Sequence, residues 1–386
     1  MDADVLVVGA GPCGLTAARL LAEAGRSVTV VERRGHVGGN AWSEADPATG
    51  IEIHRYGAHL FHTANERVWA FVNRFTAFTG YEHRVWTTHK GEVYPLPVNL
   101  GTINQFFRAA YTPDQAQALI AEQAAPMLAR LAGREPASLD EKAVALIGQP
   151  LYEAFIRGYT AKQWQVAPEL LPASVISRLP VRYNYDTRYF NDPHQGLPVG
   201  GYGRLWEALA DHPRVNVRLE EDCLAPDGGP FTLGAVRGQL PVLYTGPVDR
   251  YFGYRLGRLG WRTLDFQWEH HPVGDYQGCA VMNYADLEVP YTRVIEFRHF
   301  HPERRGVYPG DATVTATEFS RVAGAGDEVY YPVGTPADRE LLERYRLLAV
   351  EEPLVWFGGR LGRYQYLDMD AAIAAGFALA APLLEG

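Results

Sequence analysis

Four apolar residues in a row, Val5-Leu6-Val7-Val8, form the first regular pattern of the chain. A run that is apolar on both faces predicts a fully buried strand of a parallel sheet. Gly9-Ala10-Gly11-Pro12-Cys13-Gly14 follows at once. Leu15, Ala18 and Leu21 then fall at helical spacing until Gly25 stops the pattern. Val28-Thr29-Val30-Val31 repeats the buried strand, with Glu32 at its C-terminal end. Near the other end, Leu354-Val355-Trp356 predicts a late strand, Phe357-Gly358-Gly359-Arg360 a glycine turn, and a helix begins at about Asp368. Between these ends the pattern changes twice. Residues 102–175 are rich in Ala, Gln, Leu and Glu, with helical composition over 115–131 and 140–147 and a loop at Ala132-Gly133-Arg134-Glu135-Pro136. Residues 176–200 and 250–300 alternate aromatic, β-branched and charged positions, which predicts an antiparallel sheet. Pro226-Asp227-Gly228-Gly229-Pro230 reads as a surface turn.

The first pattern carries chemistry. Gly9 permits a tight turn, Gly11 lets a pyrophosphate approach the backbone, and Gly14 lets the helix pack on the strand. The helix N-terminus offers free N–H groups and a positive dipole end to phosphates. Glu32 is placed to accept hydrogen bonds from ribose hydroxyls. A G-x-G-x-x-G between a strand and a helix, with an acid ending the next strand, is a dinucleotide fingerprint of the Rossmann kind. A second glycine pair in Arg33-Arg34-Gly35-His36-Val37-Gly38-Gly39-Asn40 resembles the extended fingerprint of FAD proteins of the amine-oxidase and desaturase group, which also return to the cofactor near the C-terminus, and that resemblance, with the late strand, turn and helix, favours FAD over NAD. The fold class is therefore α/β: a Rossmann-like FAD-binding domain with an inserted helical subdomain and an antiparallel β-sheet domain. The FAD-binding domain takes residues 1–75, 200–250 and 332–386, the helical subdomain 102–175, and the sheet domain 76–101, 176–199 and 251–331.

Composition narrows the partners. The chain has 386 residues, enough for several domains, and a net charge of −9, which excludes a general nucleic-acid surface. An anionic substrate then needs a local arginine cluster. Its 22 tyrosines suit sugar and nucleotide pockets, and equally the packing of sheets. Cys13, Cys223 and Cys279 show no metal-ligand spacing, which fits a cytoplasmic protein with reduced thiols. No apolar run is long enough to span a bilayer, and no signal peptide is expected. His54, His59 and His62 cluster in sequence, but no carboxylate recurs at ligand spacing, so no metal is expected.

Four further segments carry a resemblance. They are Ile53-His54-Arg55-Tyr56-Gly57-Ala58-His59-Leu60-Phe61-His62-Thr63, Gly158-Tyr159-Thr160-Ala161-Lys162-Gln163-Trp164, Val289-Pro290-Tyr291-Thr292-Arg293, and Gly359-Arg360-Leu361-Gly362-Arg363-Tyr364-Gln365-Tyr366-Leu367-Asp368-Met369. Together they resemble bacterial UDP-galactopyranose mutases, and Ile156-Arg157-Gly158-Tyr159 and Phe297-Arg298-His299-Phe300-His301-Pro302-Glu303-Arg304 resemble the actinobacterial branch. The resemblance implies an isomerase interconverting UDP-galactopyranose and UDP-galactofuranose in cell-wall biosynthesis. It implies FAD, active when reduced, acting as nucleophile through a covalent flavin–sugar adduct. It allows a homodimer.

By that resemblance Arg178 and Arg293 bind the diphosphate and stabilise UDP as leaving group, with Tyr189, Tyr331 and Tyr366 as phosphate donors and Tyr330 as the alternative to Tyr331. Phe155, Tyr159, Thr160 and Trp164, at helical spacing, border uracil and sugar; spacing alone fits an aromatic core stripe as well. His62 is a catalytic candidate, and His83 and Asn283 line the sugar site. The flavin set is Gly9, Gly11, Cys13, Gly14, Glu32, Arg33, Gly39, Asn40, His59, Leu60, Arg360, Tyr366, Asp368 and Met369. The chain departs from the family pattern at Asn184-Tyr185-Asp186-Thr187, at Val329 and over residues 320–326, departures expected to flank substrate contacts and not the flavin. Two alternatives stay open: the same pyranose–furanose chemistry on another nucleotide sugar in secondary metabolism, and an FAD oxidoreductase of the amine-oxidase type.

Overall fold

The computed structural model describes residues 3–176, 180–225 and 231–385. The buried strand Val5–Val8 is the centre of a five-stranded parallel sheet, in the order Val355–Phe357, Val242–Tyr244, Val5–Val8, Val28–Val31, Val215–Arg218. All four residues of each of Val5–Val8 and Val28–Val31 are buried, as an apolar run requires. Each such aliphatic side chain contributes about 1.5–3 kcal/mol on leaving water. Helices Pro12–Glu23 and Met369–Leu384 pack together on this sheet. The dinucleotide fingerprint and the C-terminal return therefore meet in space although they are far apart in sequence.

The second sheet has seven strands, in the order Tyr331–Pro332, Trp261–His271, Thr313–Val322, Arg293–Glu296, Val281–Tyr284, Val85–His89, Glu92–Leu96. Its pairs are antiparallel except Val281–Tyr284 with Val85–His89, which run parallel. Helices Leu100–Phe106, Pro113–Leu131 and Leu139–Leu151 form a separate apolar cluster. The longest is capped by Thr112, whose side chain accepts from Gln115 N–H, and is stopped at Ala132 in the left-handed region before Gly133.

Two expectations need correction. Residues 180–199 give the large sheet no strand; their one strand, His194–Gly196, pairs with Phe61–Thr63 instead. Pro180, Asn184, Asp186, Asn191 and Pro193 interrupt the alternation, and their turn preferences win. Sheet in the 250–300 segment begins only at Trp261, after the helix Val248–Tyr251 and a run of turns. The surface turn expected at residues 226–230 lies outside the described residues. Among the described residues no helix is long and apolar enough to cross a membrane.

Candidate active site

The order of the parallel sheet reverses at Val5–Val8. The chain moves outward to one side through Val28–Val31 and Val215–Arg218, then returns to the other side at Val242–Tyr244. Open parallel sheets bind ligands beyond their carboxyl ends at such a switch point. A cavity of about 350 Å³ lies there, lined by Val8, Gly9 and Gly11 after one strand and by Tyr244 and Thr245 after its neighbour. Gly9 has φ of +98°, a left-handed conformation open to glycine. A Cβ on Gly14 would stand 2.0 Å from the Gly9 carbonyl oxygen, so the helix seats on the turn only because position 14 has no side chain. At Gly11 a Cβ would meet nothing within 4 Å, and its backbone faces the cavity.

The rest of the wall fits a dinucleotide. Pro12 and Cys13 at one helix start and Met369 at another both line it, giving two N-terminal dipole ends for phosphates. Glu32 accepts from the Ala10 N–H at 2.9 Å and the Arg34 N–H at 3.0 Å, leaving lone pairs on both oxygens for ribose hydroxyls. Arg33, Gly39, Asn40, His59 and Arg360 complete the expected set on the wall. Gly14 acts by packing, and Leu60, Tyr366 and Asp368 stand off the wall. Burial pushes the Cys13 thiol up to about 12, so it stays a neutral thiol.

Two wall residues, Arg34 and Glu328, carried no signal of their own in sequence. Arg34 is ion-paired with Glu328, bonds Asn40 Oδ1 at 2.8 Å, and keeps a buried Nη1 without an acceptor among the described residues. An orphaned guanidinium nitrogen on a cavity wall is a place for a ligand oxygen. Glu328 and Val329 belong to a strap over residues 323–329 that also lines the cavity. The small residues at 323–326 and Val329 thus flank the dinucleotide cavity, contrary to expectation. The chain leaves the end of strand Thr313–Val322, passes along the cavity, and rejoins the seven-stranded sheet at Tyr331–Pro332.

The second half of the site is a row across the seven-stranded sheet. Register sets Asn283 opposite Arg293, and Arg293 opposite Glu318. Directly opposed residues share a face. Arg293 donates from Nε at 2.8 Å to one oxygen of Glu318, whose side chain is 0% exposed, and a terminal nitrogen of the same guanidinium lies 2.7 Å from that oxygen as an ion pair. The other oxygen accepts from the Thr292 hydroxyl at 3.1 Å. Burial opposes the Arg293 charge, but Glu318 and the neighbouring Tyr159 and Tyr331 outweigh it and raise its pKa. The guanidinium is permanently charged and aimed.

Around Arg293 the structure gathers most of the predicted aromatic set. Tyr159 and Tyr189 both feel its charge. The Tyr331 ring lies 6.4 Å from Trp164 and 5.9 Å from Tyr366. Arg360 stands 4.8 Å from the Tyr366 ring centre and donates to the carbonyl of the buried Tyr330. Burial raises the pKa of Tyr159, Tyr189, Tyr331 and Tyr366, so all four phenols keep their protons as donors. Arg360 and His59 also line the dinucleotide cavity, so the two halves adjoin.

The expected helical stripe is broken. Residues Tyr152–Arg157 form a wider π turn before helix Gly158–Trp164, which shifts Phe155 off the face of Tyr159. Phe155 is 2% exposed and packs on His89, Tyr94 and Phe106 in the helical core. Thr160 is buried. Arg178 lies outside the described residues.

The histidines divide by partner. His54 Nδ1 accepts from the His59 N–H at 3.0 Å, and its ring stacks on Phe300. His59 Nδ1 bonds the Gly57 carbonyl at 2.8 Å; burial, aided by Arg360 and Arg293, brings it down to about 4 and keeps it neutral. His83 is brought down to about 3 by burial, then by Arg293 and His62, and contacts the Tyr81 hydroxyl at 3.1 Å. His62 stacks on Phe190 and its Nδ1 lies 2.5 Å from Asp192, another partner without a contiguous signal. The carboxylate fixes the proton on Nδ1 and with it the tautomer of the ring.

The family model described as UDP-galactopyranose mutase matches residues 154–366, and an NAD(P)-binding Rossmann-like model matches residues 7–75. A probable UDP-galactopyranose mutase of Klebsiella pneumoniae is 45% identical over 96% of this chain and 92% of its own length. A dTDP-fucopyranose mutase of Escherichia coli is 41% identical over 96% of this chain and 95% of its own length. The crystal structure of a reduced UDP-galactopyranose mutase shares the fold, with a TM-score of 0.73 at 16% identity over 99% of this chain and 96% of that one. An arginine–tyrosine cluster beside a dinucleotide cavity, with relatives of this identity along nearly the whole chain, establishes that the protein belongs to the UDP-galactopyranose mutase family.

Proposed function

We propose that this chain interconverts UDP-galactopyranose and UDP-galactofuranose with FAD as its bound cofactor, active when reduced. The observation that carries the reading is Arg293, anchored on buried Glu318 and set among the protonated Tyr159, Tyr189 and Tyr331 next to the dinucleotide cavity. When bound and reduced, FAD would supply a nucleophilic ring nitrogen, the chemistry that covalent catalysis at the anomeric carbon of the sugar needs.

The protein's part is position and charge. Gly9, Gly11, Gly39 and the two helix starts would hold the pyrophosphate of FAD, Glu32 its ribose, and Arg33, Arg34 and Asn40 its neighbouring polar groups. Arg293 neutralises the diphosphate as UDP leaves, and Arg178 joins it in this reading. Tyr189, Tyr331 and Tyr366 donate to phosphate oxygens, with charge-assisted bonds roughly twice as strong as neutral ones. Tyr159 and Trp164 border the substrate, with Phe155 behind them and Thr160 beneath. His62, oriented by Asp192, takes and returns the proton of a sugar hydroxyl, while His83 and Asn283 shape the sugar site. A cytoplasmic location and a homodimer complete the reading.

The test is incubation of the holoenzyme with UDP-galactopyranose, with and without dithionite, followed by chromatography. Interconversion only under reduction supports the reading. Substrate-dependent oxygen consumption without interconversion would sink it in favour of an oxidase. A second reading, the same ring contraction on a dTDP-linked deoxy sugar, rests on the 41% identity to the dTDP-fucopyranose mutase. A parallel assay with dTDP-fucopyranose separates the two by kcat/KM.

A further inference from the structure

The helix that carries Tyr159 and Trp164 also carries Lys162. Its Nζ lies 2.6 Å from the Tyr284 carbonyl, 2.8 Å from Asp286, and 3.0 Å from those of Val289 and Tyr291. Three N–H donors are shared among four carbonyl oxygens. The Tyr284 carbonyl ends strand Val281–Tyr284, and the other three belong to the loop between it and strand Arg293–Glu296. One end of that loop adjoins Asn283 and the other leads into Arg293.

A second contact lies one helical turn earlier. A Cβ on Gly158 would stand 2.2 Å from the Ala285 carbonyl oxygen, so the helix rests directly on the same loop. From the far side, Asp286 takes His89 Nδ1 at 2.7 Å and the Lys90 N–H at 2.8 Å. Held on both sides, the loop has one position relative to the helix, and the ammonium is its central tie. Neither helix nor loop lines the dinucleotide cavity.

We propose that Lys162 is a positioning residue for the nucleotide-sugar site: its ammonium, caged by these four carbonyls, fixes Tyr159 and Trp164 against Arg293. The inference rests on the nucleotide-sugar reading above. Without the cation, four carbonyls lose a charged partner and the loop separates from the helix, widening the gap that the diphosphate bridges. The cofactor half of the site is untouched.

The experiment compares wild-type, K162M and K162A holoenzymes for flavin content, UDP affinity, and KM against kcat. In K162M the flavin spectrum stays as in the wild type, UDP affinity falls at least about tenfold, and KM rises more than kcat drops. K162A leaves an emptied carbonyl cage that a small cation can refill. Ammonium or ethylammonium chloride therefore restores part of its UDP affinity, and choline chloride at equal ionic strength does not. UDP affinity unchanged in K162M overturns the proposal, as does a K162A defect that ammonium leaves untouched. Loss of flavin together with UDP affinity also overturns it, in favour of a fold-wide role. If wild-type holoenzyme itself fails to bind UDP, the nucleotide-sugar reading falls, a result distinct from the others.

Discussion

The two halves of the site are built from different materials. The dinucleotide cradle is backbone: glycines that leave room, two helix starts, and one buried carboxylate that ties the turn to the next strand. The substrate half is side chains, brought from several strands and a helix onto one row through Arg293 and Glu318. A backbone site tolerates changes in neighbouring side chains but not an added Cβ. A charge-built site tolerates small shifts of backbone but not the loss of one ion. Mutations should therefore separate cofactor retention from turnover.

The largest separation is expected at Arg293. On the proposed function, R293A removes the charge that meets the leaving diphosphate and should lower kcat/KM by about 10²–10³ or more, as removal of a transition-state donor does. Flavin content, read from the visible spectrum, should stay near wild type. Loss of flavin in R293A would erase the distinction between the halves. G14A should do the reverse. Its Cβ would meet the Gly9 carbonyl at 2.0 Å, a backbone atom that cannot swing aside. The strain should cost about 1–3 kcal/mol in stability and show as flavin lost on dialysis. Any flavin-loaded fraction should keep its kcat, and a G14A protein that retains flavin but turns over slowly would blur the comparison.

The same contrast governs what could be read from sequence. The cradle was legible because Gly9, Gly11 and Gly14 are contiguous with their strand and helix, and each fixes its own neighbourhood. Glu318 was not, because it is one charged residue among the alternating positions of Thr313–Val322, where a solvated face is the ordinary reading. Only register puts it under Arg293. The 323–329 strap was misjudged for a related reason: its sequence neighbour is a strand of the substrate sheet, but the chain crosses to the dinucleotide cavity after Val322. Long-range geometry of this kind leaves no local pattern.

A smaller effect is expected within the substrate half at Asp192. D192N keeps a hydrogen-bond acceptor near His62 but removes the charge that steadies its proton on Nδ1. kcat should fall about tenfold, a loss of about 1.4 kcal/mol in transition-state binding, with UDP affinity unchanged. An unaltered kcat would remove His62 from the proton-transfer role and leave the substrate half as a purely phosphate-directed device.

The smallest effect tests whether the seven-stranded sheet carries stability of its own, apart from the catalytic row. His299 lies 3.3 Å from an oxygen of fully buried Glu296 and 3.1 Å from Asp275. Burial alone would lower the His299 pKa, but the two carboxylates outweigh it and the net direction is up. A folded-state pKa raised above the unfolded value stabilises fully below the ordinary histidine range and loses that stabilisation as pH rises through the folded value. For Glu296, burial acts upward, but His299, the N–H groups of Tyr276 and Gln277, and the Thr313 hydroxyl bring it down on balance. Its contribution is present above the usual carboxylate range and lost as pH falls through the lowered value. The pair therefore supports the sheet most strongly between those two edges. H299Q should abolish the alkaline-side component, so that Tm falls less between pH 6 and pH 9 than in the wild type. The change is expected to be about 2 °C for a chain of this size. Flavin release with temperature, monitored by fluorescence, should keep its wild-type pH dependence if the parallel sheet melts on its own terms. Joint movement of both transitions would mean that the two halves, different in material, unfold as one cooperative unit.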